Sequence, residues 1–160
     1  MDSAMYALAK LYLADELVPM DKEKAVYWLK KAVALNNQYA QYQLGKMCQD
    51  GTGTEVNLEE SRQWFARAYA GFLSMEETMA DDKLYYRLGS MNMNGTGTEV
   101  DLEKARYYFE KAAELGNADA LYGLGKLYLK PEFSDFDPAK AVEYLEESTA
   151  KGNALAKYQL

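Results

Sequence analysis

The residues best suited to engaging another molecule are tyrosines at a regular spacing: Tyr6, Tyr42, Tyr86, Tyr122 and Tyr158. Lys10, Lys46 and Lys126 stand four residues after three of them, and Ser90 holds the same place after Tyr86. The chemistry such residues offer is recognition. A tyrosine ring has a large apolar body with a polar tip and is enriched at binding hot spots. A second candidate group lies in the segment 71–82, where Phe72, Met75 and Met79 add apolar surface; methionine suits adaptable contact surfaces. Packing competes with binding at both places. The rings could pack between repeats, and the segment could hold lengthened helices together.

Catalytic constellations are harder to find. The sequence contains no histidine, which removes His-based triads, His general bases and His metal ligands. No Ser–Lys pair or nucleophile elbow stands out. Gly51-Thr52-Gly53-Thr54-Glu55-Val56 recurs unchanged as Gly95-Thr96-Gly97-Thr98-Glu99-Val100, and two glycines invite comparison with a phosphate loop. The stretch lacks the closing Gly-Lys-Ser/Thr and a preceding strand. It reads as a turn. No cofactor and no metal is expected, and the chain reads as a non-enzyme.

Composition narrows the partners. The 160 residues carry a net charge of −7, which disfavours nucleic acid and anionic membrane. No apolar run approaches the roughly 20 residues of a membrane span. The single Cys48 offers no disulfide framework, and Met1-Asp2-Ser3-Ala4 lacks the pattern of a signal peptide, so a cytoplasmic location is favoured.

The tyrosines must be positioned by the elements around the duplicated hexapeptide. One segment type starts at Ala4, Ala40, Leu84, Ala120 and Ala156, with Leu8, Leu44, Leu88, Leu124 and Leu160 four residues on. Ala9, Gly45, Gly89 and Gly125 follow, then Tyr12, Cys48, Asn92 and Tyr128. Offsets 0, 4, 5 and 8 share one helical face, which predicts an amphipathic helix A. Interior glycine costs about 1 kcal/mol against alanine, so three glycines at one position predict a close helix–helix contact. The tyrosines, at offset 2, face roughly the other way.

A second type carries Ala25, Ser61, Ala105 and Ala141, then Trp28, Trp64, Tyr108 and Tyr144, then Leu29, Phe65, Phe109 and Leu145. This predicts helix B, with the aromatic residues of its stripe in the core. Asp21, Asn57, Asp101 and Asp137 stand four residues before the small residue and predict N-caps; Glu60 completes a capping box with Asn57. Helix B is expected to end at Asn36-Asn37, Gly116-Asn117 and Gly152-Asn153. The repeats run 4–39, 40–83, 84–119 and 120–155, with a partial fifth at 156–160. The spacing is 36 residues except from Leu44 to Leu88, where it is 44. The eight extra residues are expected to lengthen the second helix B and the third helix A by about a turn each. Both ends fall inside the repeat pattern, so a fragment of a longer array is expected.

The pattern resembles the Sel-one-like repeat (SLR) family, relatives of the tetratricopeptide repeats. The third unit supplies Leu88-Gly89, Gly95, Gly97, Lys104-Ala105, Tyr108-Phe109, Lys111-Ala112-Ala113, Gly116-Asn117 and Ala120. The resemblance implies an all-α, right-handed α-α superhelix (solenoid) of about four helix-turn-helix repeats plus a partial fifth helix. It also implies an adaptor that holds a protein or peptide on a concave helix A face, lined here by Tyr6, Tyr42, Tyr86, Tyr122, Tyr158, Lys46 and Lys126. Similar repeats occur fused to larger bacterial proteins, including mobilisation relaxases, which leaves a rigid spacer or self-association module as the alternative. Cysteine-rich secreted relatives linked to penicillin binding would suggest a hydrolase. With Cys48 alone, this chain departs from that branch.

Overall fold

The computed structural model describes residues 2–14 and 22–152. These form α1 (Asp2–Ala14), α2 (Lys22–Val33), α3 (Gln38–Asp50), α4 (Leu58–Met79), α5 (Asp82–Asn94), α6 (Leu102–Glu114), α7 (Ala118–Tyr128) and α8 (Pro138–Ala150). Odd-numbered helices are type A and even-numbered ones type B. No strand occurs among the described residues. The predicted cap Asp21, the first corner at 15–19, Asn153 and the partial fifth helix with Tyr158 lie outside the described residues.

The helix ends follow from short polar side chains. Asn37, Asp81, Asp101, Asn117 and Asp137 each accept a hydrogen bond from the backbone N–H three residues on. Asn57 does the same for Glu60 at 3.0 Å. Each such cap contributes about 1 kcal/mol. The Glu60 carboxylate accepts from the Asn57 side-chain amide at 3.5 Å, whereas the Asn57 backbone N–H goes to the Cys48 carbonyl. The reciprocal half of the expected capping box is therefore absent. Asn37 and Asn117 divide their labour differently from the sequence reading: the left-handed residues are Asn36 (φ 60) and Gly116 (φ 89), and each following asparagine starts the next helix.

Both copies of the hexapeptide are corners. Gly51 (φ 75) and Gly95 (φ 72) close α3 and α5, and the next residues, Thr52 and Thr96, donate back to the carbonyls of Met47 and Met91. Such a double closure satisfies carbonyls that a helix end would otherwise leave open. The corner then ends with one backbone bond in three repeats: Asn57, Asp101 and Asp137 donate to the carbonyls of Cys48, Asn92 and Tyr128. The fourth corner, Pro131–Phe136, lacks the glycines yet closes the same way, with Phe133 buried against Tyr128.

The chain divides into two compact units, Met1–Ser74 and Met75–Leu160. In the first, α1 packs on α2 and α2 on α3. Its core holds Ala9, Ala25, Leu29, Ala32, Ala40, Leu44 and Met47. In the second, α5, α6, α7 and α8 pack in succession and α5 also touches α7. Phe109 is fully buried in its core.

The interior glycines act as the sequence predicts. A Cβ on Gly45 would lie 2.8 Å from Phe65, one on Gly89 2.7 Å from Phe109, and one on Gly125 2.6 Å from Leu145. All three partners occupy the same helix B position.

The insertion departs from expectation. α4 has 22 residues, but α5 has 13, the same as α3. The extra length enters α4 alone. The reason lies at one position: where α2 is followed by left-handed Asn36 and α6 by left-handed Gly116, α4 has Phe72. A bulky residue resists positive φ, so the helix continues. Phe72 is fully buried, and its ring meets Tyr39 edge-on at 5.3 Å.

Candidate functional site: the type A helix faces

Tyr6, Tyr42, Tyr86 and Tyr122 are all half-buried. Three of them have a ring from a neighbouring helix beside them. Tyr6 lies 5.9 Å from the Tyr39 ring, Tyr42 5.3 Å from Phe65, and Tyr86 5.9 Å from Phe109. The helix B phenylalanine that fills the glycine notch thus also supports the tyrosine three residues before that glycine. A ring held in this way has already lost much of its freedom, so further contact costs it little entropy.

Two of the rings also meet a cation. Lys10 Nζ lies 5.7 Å from the Tyr6 centroid, and Lys126 Nζ lies 5.4 Å from that of Tyr122. Lys46 is exposed four residues after Tyr42. These pairs follow from helical spacing, since residues four apart are neighbours on the surface.

The charge is unevenly placed. Beyond their first turns, α1, α3, α5 and α7 carry the cations Lys10, Lys46, Arg87 and Lys126. Their carboxylates, Asp2, Asp50, Asp82 and Asp119, sit at the ends. Sequence reasoning missed Arg87, although its place directly after Tyr86 was the available signal. Among the described residues, no carboxylate lies within ion-pair distance of Lys10, Lys46 or Lys126.

The second candidate group separates. Phe72 belongs to the core, Met75 is half-buried, and Met79 is 66% exposed. Phe72 follows the packing alternative. Trp28 and Trp64, predicted as core, are only half-buried. Trp64 Nε1 donates to Glu60 at 3.2 Å, and Arg67 sits 5.0 Å over its ring, so its polar edge remains at the surface.

Perturbed titrating groups lie elsewhere. Burial, then the Glu60 carboxylate, pushes the Cys48 thiol up, with Lys30 opposing. Around buried Tyr128, its phenol oxygen raises the Lys140 pKa, and burial raises that of Tyr144. Burial alone would lower Arg106, but Tyr128, Glu103 and Asp135 outweigh it. Arg106 pairs with Glu103 at 2.7 Å and with Asp135, which ties the fourth corner to α6. These groups hold the corner together. Among the described residues, no cluster of three or more His, Cys, Asp or Glu could hold a metal, and no helix is long and apolar enough to cross a membrane.

The model of the Sel1 repeat matches residues 2–37, 38–71, 83–117 and 118–153. The chain belongs to the Sel1 repeat family. Residues 72–82, between the second and third matches, hold the end of the long helix α4. A Sel1 repeat protein from Oxalobacter formigenes is 29% identical with a TM-score of 0.70, over 98% of this chain and 60% of that one. A protective antigen of uropathogenic Escherichia coli with an SLR fold is 30% identical with a TM-score of 0.66, over 97% and 32% respectively. A chitin synthase regulator from Malassezia restricta is 33% identical over 67 residues, which are 41% of this chain and 5% of the regulator. The chain therefore spans less than two thirds of these relatives. Its fold is all-α, an array of helix-turn-helix repeats of the solenoid class, and Sel1 repeat proteins generally mediate protein–protein interaction.

Proposed function

We propose that this Sel1 repeat chain is a non-catalytic scaffold that binds a peptide or protein segment on its type A helix faces. The observation carrying this reading is the pairing of half-buried tyrosines with Lys10, Lys46 and Lys126, none of which has a carboxylate within ion-pair distance among the described residues, in a chain whose net charge is −7. A segment bearing acidic and apolar side chains would complement such a surface. The rings would supply contact area and the lysines would steer and register the partner. The contact residues proposed are Tyr6, Lys10, Tyr42 and Lys46 in the first unit, and Tyr86, Arg87, Tyr122 and Lys126 in the second.

Panning a random peptide library on the purified chain tests this. The reading expects an enriched pool rich in Asp and Glu whose binding falls at least tenfold in a Lys46→Glu/Lys126→Glu variant. Both lysines are exposed, so the substitutions leave the core alone. A pool without acidic bias, binding the variant equally well, would count against it.

A further inference from the structure

A second feature, separate from the tyrosine faces, arises where the extended helix α4 passes the start of α3. A cleft of about 460 Å³ opens there, lined by Val33, Asn36, Gln41, Arg67, Gly71 and Ser74 among others. Gly71 allows the passage, since a Cβ on it would lie 2.7 Å from Gln38 Cβ. Gly71 and Ser74 stand at or beyond the point where α2 and α6 have already ended. The insertion thus builds one wall of the cleft.

Gln41 is the anomaly in this wall. Its counterparts on the other type A helices are Met5, Tyr85 and Leu121, all large and apolar. Gln41 is only 6% exposed, and its side chain makes no hydrogen bond among the described residues. Among the described residues, no fully enclosed side-chain nitrogen or oxygen lacks a partner, so the Gln41 amide reaches solvent through the cleft it lines. A solvent-facing amide with no protein partner keeps its donors available to a ligand entering the cleft. Arg67 supplies the only formal charge in the lining, and among the described residues no carboxylate pairs with it. The Ser74 hydroxyl donates to the Ala70 carbonyl at 3.2 Å, so the donors left in the lining are the Gln41 amide and the Arg67 guanidinium among the side chains the site would use.

We infer that this cleft is a binding site for a carboxylate group, with the Gln41 amide N–H donating to one oxygen and the Arg67 guanidinium neutralising the charge. A carboxylate fits because it accepts from both donors, and a charged hydrogen bond is stronger than a neutral one. The group could be carried by an aspartate or glutamate side chain or by a peptide C-terminus; the chemistry is the same.

Nitrogen-edited NMR of the whole chain, following the Gln41 side-chain amide and Arg67 Nε, tests the site with three probes. These are acetyl-Gly-Asp-Gly-amide, its Asn counterpart, and acetyl-Gly-Gly with a free C-terminus. A saturable shift at both groups with the first or third probe, and binding at least tenfold weaker with the Asn peptide, is the expected result. Which of the two carboxylate probes binds more tightly identifies the source. Gln41→Met and Arg67→Gln should each weaken binding at least tenfold, the latter at an exposed position where folding is not at issue. The site is refuted if neither carboxylate probe moves the Gln41 amide, if the Asn peptide binds equally, or if Arg67→Gln binds as before. The tyrosine faces play no part in these readouts, so the two proposals stand or fall separately.

Discussion

Phe65 occupies the space that a side chain on Gly45 would need: its ring atoms lie 2.8 Å from the ideal Cβ. Gly89 and Phe109 repeat the relationship in the second unit at 2.7 Å. Alanine would ordinarily raise helix stability by about 1 kcal/mol over glycine. Here the clash opposes that gain, because inserting an atom into a filled core costs about 1–3 kcal/mol. Gly45→Ala and Gly89→Ala should therefore each destabilise by roughly 1–2 kcal/mol in urea unfolding. A stabilised variant would mean that the ring yields freely and the notch is not tight.

These notches were legible because they recur. Three glycines at one offset of a helical stripe have few explanations besides close approach, and the helix B partner position was readable as Leu29, Phe65, Phe109 and Leu145. The duplicated corner was equally plain. The course of the insertion was not, because a repeat count gives its length but not which helix absorbs it. The informative residue was Phe72, standing where Asn36, Gly116 and Gly152 end the other type B helices with positive φ. The half-burial of Trp64 was illegible for another reason: periodicity finds the inward face but not how far a wide indole extends past it. At the tyrosine faces, spacing gave the rings and the lysines. Their supports, Tyr39, Phe65 and Phe109, come from neighbouring helices and needed the fold.

The insertion should divide sharply in its energetics. Phe72 is fully buried, so Phe72→Ala should cost about 3–5 kcal/mol. Met79 is mostly exposed, and Met79→Ala should stay within about 0.5 kcal/mol. Paired urea titrations would measure both. Equal costs would contradict the placement of the long helix.

Trp64 and Phe109 offer a comparison within one repeat position apart. Phe109 is fully enclosed, and its truncation to alanine should cost about 3–5 kcal/mol. Trp64 keeps an edge at the surface with Glu60 and Arg67, so Trp64→Ala should cost clearly less despite the larger side chain. Tryptophan emission should also shift only modestly to the red on unfolding. A Trp64→Ala cost above that of Phe109→Ala would place the indole deeper than its burial indicates.

Cys48 is buried, and its thiol is pushed above its ordinary value by desolvation first and Glu60 second. The native state therefore favours the protonated form more than the unfolded state does. That preference contributes fully at pH values below the ordinary thiol range. It is lost as pH rises through the native value. Stability should accordingly fall on the alkaline side, and less steeply in a Cys48→Ala variant. At neutral pH the native thiol should react with a disulfide reagent far more slowly than in urea, since the thiolate is the nucleophile. Equal rates in the two states would show an open, ionisable thiol.

The central claim is that the tyrosine-and-cation faces of the type A helices receive an acidic segment. Mapping amide chemical shifts while titrating an acidic peptide obtained by library panning tests it most directly. The account predicts perturbations concentrated around Tyr42, Lys46, Tyr86, Arg87, Tyr122 and Lys126, which weaken as salt rises. Shifts confined to the type B helices, or unchanged in Lys46→Glu/Lys126→Glu, would contradict it.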